Sequence, residues 1–406
     1  MSFSHVFSVP AYYPNFHCKA GDCRHPCCSG WGITLSMKEY FNLIGMDCSP
    51  ELRRRLDTAF HPVDVPSEER YACISPRWDG DCPLHLPNGY CALQCEHGEG
   101  AIPTVCRYYP RSPKTYYAYQ CQCANSCEAV IEQLFAYKEP MTFLRRRLSF
   151  HFHESQAHQH DAFTQIFPAV QRACLHILQD RSRPFSQRLQ HLGELVTVMD
   201  VPYRQGNAEG VRAVLPLSTV ITHGNEPASP LTKSNLKSAL YILQELLNWA
   251  EQNNDPLQSE LESARKMLRM IPGEPISEET ASLWEECNRN MDQLFPENER
   301  MLEQIFVNHL CYDEFPFCPE RANLWDSYLS LITAYALVRL ASICHMAAYT
   351  ANETELRSLT PIESYADVVA VVFRMVEHTN FKHNAPILAR RFSYDHPTKT
   401  TLLCYL

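Results

Sequence analysis

Thirteen of the nineteen cysteines in this 406-residue chain fall within its first 127 residues. Two compact groups stand out: Cys18, Cys23, Cys27 and Cys28, then Cys82, Cys91, Cys106 and Cys127. Thiolates at this density suit a soft metal or an iron–sulfur cluster. The adjacent pair Cys27-Cys28 fits a zinc knuckle poorly, since knuckles space their thiolates by about two to four residues. Neighbouring side chains diverge, so one of the pair ligates while the other packs, or the two serve different metals. The wide spacing of Cys82, Cys91 and Cys106 suits an object larger than one tetrahedral ion, and an iron–sulfur cube accepts ligands from distant loops. The eight thiols are enough for one cluster and a spare site, or for two clusters. Cys82, Cys91, Cys106 and one of Cys27 and Cys28 rank first as ligands, with Cys18, Cys23 and Cys127 next. Cys121 and Cys123 lie close enough to Cys127 for Cys123 to replace one of the eight. The scattered Cys174, Cys287, Cys311, Cys318, Cys344 and Cys404 read as core or surface residues.

His151, His153, His158 and His160 could form a second metal site, but their spacing fits neither one helical face nor a familiar zinc pattern. They read better as a solvated segment. Arg53 to Arg55 and Arg145 to Arg147 are basic triplets expected on helix faces or ends.

The elements that must position these thiols divide the chain in two. Residues 1–135 are dense in cysteine, proline and aromatic residues and predict loops, turns and short elements, with metal ligation as the staple. Ser36 and Glu39 form a capping box opening a short helix. Residues 136–406 predict an α-helical body, interrupted by a loop-rich stretch near 201–233 and another over 271–279. Apolar stripes run through Leu236, Leu240, Leu243 and Leu247, through Leu283, Cys287, Met291 and Leu294, and through Leu324, Tyr328, Leu331, Tyr335 and Val338. Ser364 and Asp367 are expected to cap a further helix. The fold class is therefore mainly α: a loop-rich, cysteine-rich N-terminal metal-binding module on an α-helical body.

Composition narrows the function. A net charge of −10 disfavours nucleic acid, which needs a basic stripe. The stretch 331–350 is apolar but carries Arg339 and His345, so it reads as a buried helix and no membrane is implicated. The N-terminal residues lack a basic stretch followed by an apolar core, so no signal peptide is expected. A cytoplasmic location follows, where thiols stay reduced and disulfides account poorly for so many cysteines. Only 13 glycines occur, under half the usual share of about 7%. The chain has no glycine-rich nucleotide-binding loop after a strand, no P-loop and no nucleophile elbow.

The segment from Phe16 through Cys18, Cys23, Cys27 and Cys28 to Leu35 resembles the opening motif of the flagellin lysine-N-methylase family. Asp81-Cys82, then Cys91-Ala-Leu-Gln, then Cys106 with Pro110-Arg111, then Ser126-Cys127-Glu128 follow in that family's order. Glu377-His378 is a further echo. The proline that usually follows the last cysteine is absent here, where Glu128 and Ala129 stand instead. The resemblance implies methyl transfer from S-adenosylmethionine to lysine ε-amino groups on flagellin, in an enzyme with a 4Fe-4S cluster. Zinc is the alternative metal. The cluster either binds the cofactor through an open iron or is fully ligated and structural or redox-active. A tyrosine-lined pocket would help neutralise the amine, and Tyr108, Tyr109 and Tyr117, with Tyr116 and Tyr119, lie between the ligand cysteines. Arg111 would pair with the cofactor carboxylate or with an anionic cluster. The reading from another class is a non-enzymatic metal-binding or redox-sensing module that docks a protein partner; it would not bind S-adenosylmethionine.

Overall fold

The structure is a computed structural model, and it describes residues 3–30, 32–150, 162–219, 233–252, 258–317, 323–351 and 359–391. Cys318, Cys404 and the histidines of residues 151–160 lie outside them, as does the side chain of Leu247. In chain order the elements begin with β1 (Phe3–Pro10), β2 (Ile33–Leu35), α1 (Met37–Ile44) and α2 (Pro50–Ala59). Next come β3 (Phe60–Pro62), β4 (Ala72–Ile74), α3 (Ala92–His97) and α4 (Thr104–Tyr108). Then follow β5 (Arg111–Lys114), β6 (Gln120–Cys123), α5 (Glu128–Ala136) and β7 (Phe143–Phe150). The helices α6 (Ala162–Leu178), α7 (Phe185–Arg204), α8 (Ala208–Val214) and α9 (Lys233–Gln252) come after. The chain continues with α10 (Gln258–Leu268), α11 (Glu278–Leu294), α12 (Asn298–Tyr312) and α13 (Trp325–Thr350). It ends with α14 (Pro361–His378) and α15 (Phe381–Arg391). The chain is mainly α, as its periodicity predicts.

Two compact units result: residues 16–112 with 127–129, and residues 1–15, 113–126 and 130–406. In the smaller unit, β2, β4 and β3 form an antiparallel sheet in that order. The sheet and α1 and α2 share a thin cluster made of Ile33, Leu35, Leu43, Leu52, Leu56, Ala59, Ile74, Leu84, Leu93 and Ile102. The expected capping box is present: the Ser36 side chain accepts from the Glu39 N–H at 3.3 Å, and Glu39 accepts from the Ser36 N–H at 2.9 Å.

In the larger unit β1 is parallel to β6 and antiparallel to β7, from Phe3↔Phe150 to Pro10↔Phe143. Arg145 to Arg147, expected on a helix, are exposed on the edge strand β7. Charge on an edge strand discourages pairing with another chain, which suits this placement. The apolar stripes all lie on helices. Leu236, Leu240 and Leu243 of α9, Cys287 and Met291 of α11, and Tyr328, Leu331, Tyr335 and Val338 of α13 are buried. The most apolar 18-residue window of α13 is 94% buried, so this helix is apolar all round because protein surrounds it.

Two boundaries differ from expectation. Residues 201–214 are mostly helical, completing α7 and forming α8, where glycine and proline suggested a loop. Asn207 caps α8 by accepting from the Gly210 N–H at 2.8 Å. Helix α14 starts at Pro361 rather than near Ser364, because Thr360 and Glu363 supply a capping box one turn earlier and proline suits the first helical position. Ser364 is then an interior residue whose hydroxyl meets His345 Nε2 at 2.8 Å.

Candidate metal centre

The smaller unit brings its cysteines together through two short backbone registers and one side-chain link. The segment after the adjacent pair runs antiparallel to the one before Cys82: the Cys82 N–H donates to the Cys28 carbonyl at 2.7 Å, Ser29 bridges Asp81, and the Gly30 N–H donates to the Gly80 carbonyl at 2.9 Å. A tight hairpin then pairs His85 with Cys91, and the Ala92 N–H donates to the Leu84 carbonyl at 2.8 Å. Cys106 arrives on α4, whose Thr104 N–H donates to Glu39 Oε1 at 2.7 Å. Cys82, Cys91 and Cys106 all pack against the thin hydrophobic cluster. Gly21 and Gly89 make the loops' close approach possible: a Cβ on Gly89, which has φ +81°, would lie 2.4 Å from the Gly21 carbonyl oxygen.

The thiols feel one another. Burial pushes the Cys82 thiol up to about 11, and Cys91 and Cys27 add to the rise. Cys106 is raised by burial, then by Cys27, Cys82 and Cys91. Cys28 is raised chiefly by its hydrogen bond with Cys27, then by burial. Against this, the backbone N–H groups of Leu84 and His85 lower the Cys82 thiol and those of Leu93 and Gln94 lower the Cys91 thiol, while the His85 N–H itself donates to the Cys82 carbonyl at 2.9 Å. Such donors favour a thiolate. Five soft donors that oppose one another's ionisation, two of them provided with N–H groups, form a set that a cation or a cluster would stabilise. Among the described residues no three His, Cys, Asp or Glu groups draw together within the shell of one ion.

The rest of the predicted set stands close by. Burial, then Glu128 and Cys18, push Cys23 up to about 12, while Cys18 itself is exposed. Cys127 precedes α5, and Glu128 behind it is 1% exposed. Glu128 accepts from the Arg24 N–H at 3.0 Å, the His25 N–H at 2.7 Å and Lys19 Nζ at 3.2 Å. This buried carboxylate folds residues 19–25 around itself and so fixes the loop carrying Cys23 and Cys27. Sequence reasoning passed over it, because a glutamate opening a helix looks like an ordinary dipole partner. It also passed over the Asp81–His85 pair, whose ring Nδ1 meets Asp81 Oδ2 at 3.1 Å. The Ser29 hydroxyl, then His85, hold the Asp81 carboxyl below its ordinary value.

The remaining candidates divide between the units. Tyr108 ends α4 and Tyr109 follows it, while the Arg111 guanidinium lies 5.0 Å from the Phe16 ring centre, all within the smaller unit. Tyr117 is buried in the larger unit with its ring 5.3 Å from Phe167, and Tyr119 stacks on His5 at 3.6 Å. Cys123 is fully buried in β6, where its N–H donates to the Tyr12 hydroxyl at 3.2 Å. An open groove of about 670 Å³ runs between Tyr40, Met46, Asp47, Arg53, Asp57 and Phe60 of the smaller unit, and no cysteine lines it.

A second polar cluster lies within the larger unit. Glu377 accepts from the N–H groups of Asn125 at 3.2 Å and Ser126 at 3.1 Å, and His309 Nδ1 lies 3.4 Å from it. The Ser126 hydroxyl meets His378 Nε2 at 2.7 Å, and the Tyr12 hydroxyl donates to Asn308 at 2.7 Å. Burial pushes the Glu377 carboxyl up to about 7 and His309 down to about 3. A protonated Glu377 can then donate to the neutral ring of His309, which satisfies both without a buried charge.

Residues 171–387, most of the helical body, match the FliB lysine N-methylase C-terminal domain. Among curated relatives, lysine-N-methylases of Salmonella choleraesuis and Salmonella typhimurium are each 28% identical over 112 residues, which is 26% of this chain and 26% of theirs. The flagellar biosynthetic protein FliU of Salmonella muenchen is 26% identical over 118 residues, covering 26% of this chain and 63% of its own. The chain thus spans about a quarter of the length of the lysine-N-methylases it matches. No solved structure matches. With its helical body covered by that domain, the chain belongs to the FliB lysine N-methylase family.

Proposed function

We propose that this protein methylates lysine ε-amino groups of flagellin in the cytoplasm, using S-adenosylmethionine and a 4Fe-4S cluster held in the smaller unit. The observation that carries the reading is the convergence of Cys27, Cys28, Cys82, Cys91 and Cys106 in a chain whose body matches a lysine N-methylase domain. Cys82, Cys91 and Cys106 are the best-placed ligands, since two of them are met by backbone donors and all three sit on the hydrophobic cluster. When bound, the cluster supplies the staple that a thin core lacks, together with a redox-responsive centre.

In the transfer itself, the amine lone pair attacks the sulfonium methyl carbon as the carbon–sulfur bond breaks, leaving S-adenosylhomocysteine. The amine must lose a proton, and at pH 7 a lysine with a pKa of about 10.4 is almost wholly protonated. A desolvated, tyrosine-lined surface favours the neutral amine. Tyr108 and Tyr109, close in sequence to Cys106, are the candidates for that surface, and Tyr117 is packed more deeply. Arg111 is the candidate partner for the cofactor carboxylate.

The test is anaerobic purification, then incubation with S-adenosylmethionine and flagellin and mass analysis of the flagellin peptides. A broad absorption band near 400 nm, about four irons per chain, and methylated lysines are expected. A colourless protein with tightly held zinc, or one with iron that leaves flagellin lysines unchanged and does not bind S-adenosylmethionine, would instead indicate a docking or sensing module.

A further inference from the structure

Helix α1 is amphipathic, yet most of its apolar side faces outward. Leu43 alone among its residues is buried. Met37, Phe41 and Ile44 are spaced to share one face and stay exposed, Phe41 at 54% and Ile44 at 44%. Aromatic rings continue this surface: the Tyr40 ring centre lies 5.3 Å from that of Phe41, 5.7 Å from Phe60 and 5.2 Å from Tyr71. An exposed apolar face rimmed by polar groups marks a place where something else binds.

The C-terminal end of α1 opens onto the groove of about 670 Å³, a size usual for a ligand site. Tyr40, Ile44, Met46 and Phe60 give the groove apolar walls, and Asp47 and Asp57 give it carboxylates. The cation among its lining residues, Arg53, is already engaged. It donates to the Ile44 carbonyl at 3.0 Å and to the Met46 carbonyl, and its guanidinium lies 3.5 Å from Asp57. Asp47 is exposed and has no hydrogen-bond or ion-pair partner among the described residues. One uncompensated negative charge therefore stands beside aromatic and aliphatic surface. An anion would be repelled there, and a neutral apolar ligand would strip water from Asp47 without replacing it. A lysine side chain matches both parts, with an apolar stem and a cationic head that ring faces also attract.

We propose that this groove docks a lysine side chain of the protein substrate, its methylenes against Tyr40, Ile44, Met46 and Phe60 and its ammonium at Asp47. The identity of that substrate, flagellin, rests on the proposed function. The docked lysine is not the one that is methylated. A neighbouring carboxylate keeps an amine protonated, whereas the attacking amine must be neutral. The groove thus recognises a basic position elsewhere on flagellin and selects the segment presented for transfer.

The test measures binding of flagellin monomer, labelled at its N-terminus, to the full chain purified without oxygen, by fluorescence anisotropy at low and high salt. Asp47→Asn should weaken binding about threefold, as expected for one exposed ion pair, and Asp47→Lys about tenfold through repulsion. Salt should weaken the unmutated protein more than Asp47→Asn. Acetylation of the flagellin lysines removes their charge, so it should weaken binding to the unmutated protein and cost Asp47→Asn less. Ile44→Ser, at an exposed position, should weaken binding while iron content stays unchanged. Binding that neither Asp47 variant changes, or that acetylation leaves intact, overturns the docking site and leaves the methylation reading standing. A dimer that Ile44→Ser converts to monomer, with flagellin binding unchanged, also overturns it, and makes the groove a contact between copies. Flagellin that docks through Asp47 but is never methylated overturns the proposed activity and leaves the docking site. Unmutated protein that does not bind flagellin overturns both.

Discussion

The two units of this chain are built on opposite economies of core. In the larger unit, α13 is apolar around its whole circumference and buried along nearly its full length, and α12 and α14 are almost as deeply set. Even its charges are enclosed and matched: Glu303, fully buried, accepts from Arg188 at 2.6 Å and from Arg181 at 2.8 Å. The smaller unit has ten buried apolar residues in its cluster, strands of three residues, and half-buried thiols where further core would otherwise be. A core of that size supplies only about 3–5 kcal/mol before its loops are ordered. The contrast teaches that, on the proposed reading, a metal held by the cysteines of the smaller unit would contribute stability as well as chemistry.

The largest effect should come from removing the metal. After chelation under anaerobic conditions, hydrogen exchange followed peptide by peptide should show the Cys82 and Ala92 amides losing protection. Those two amides report the registers that assemble the site. The amides of α12 and α13 should keep theirs. Structural metal sites contribute on the order of 10 kcal/mol in small domains, far more than the remaining core of the smaller unit can replace. Equal loss in both units, or in neither, would break the comparison.

Much of the helical body could be read in the chain itself. The helices of the body follow from apolar stripes that only a 3.6-residue period can place on one face, and they were found with little error. The errors occur where local signals compete. Pro202 and Gly206 suggest a loop, yet Pro202 is tolerated near the end of α7 and Asn207 starts the next helix at once. Ser364 to Asp367 has capping chemistry, but Thr360 to Glu363 has it too, with a proline in the first turn. In the smaller unit the clustering of cysteines was legible and the neighbours that fix their loops were not. Asp81, His85 and Glu128 act through pairings across 4 to 109 residues of chain that spacing alone does not reveal. Even so, the Asp81-to-His85 interval is short enough that a histidine three residues after Cys82 was a usable signal.

An intermediate effect should sharpen the contrast through pH. Burial raises Glu377 from an ordinary 4.5 to about 7, so between those values the folded protein holds a proton that the unfolded chain has released. The stability this gives is present at low pH and is lost as pH rises through 7, by on the order of 3 kcal/mol. His309 has the opposite sign: held at about 3, it stays neutral while the unfolded chain gains a proton below about 6.5, so its contribution falls as pH drops. The two slopes oppose each other between pH 4.5 and 6.5, and single variants are needed to separate them. Urea unfolding of the larger unit should therefore show the stability of the unmutated protein relative to Glu377→Gln falling from pH 5 to pH 7.5. A constant difference would mean that Glu377 does not titrate there.

The smallest effect offers the cleanest contrast, because the same capping box occurs once in each unit. Ser36→Ala and Thr360→Ala each remove a hydroxyl that satisfies an N-terminal amide, at a cost of about 1 kcal/mol. The consequences should differ because Glu39, the partner of Ser36, also holds the Thr104 N–H at the start of α4, the helix that carries Cys106. Loosening that box frees one wall of the metal centre, so Ser36→Ala should speed iron loss to a chelator by roughly fivefold, the population change that 1 kcal/mol represents. Thr360 caps a helix of the larger unit, and its substitution should lower the unfolding midpoint of that unit while leaving iron release unchanged. If both variants released iron at the unmutated rate, the centre would be insensitive to α1 and α4. Its stability would then have to come from the Cys82–Cys91 hairpin and the Glu128-bound loop alone.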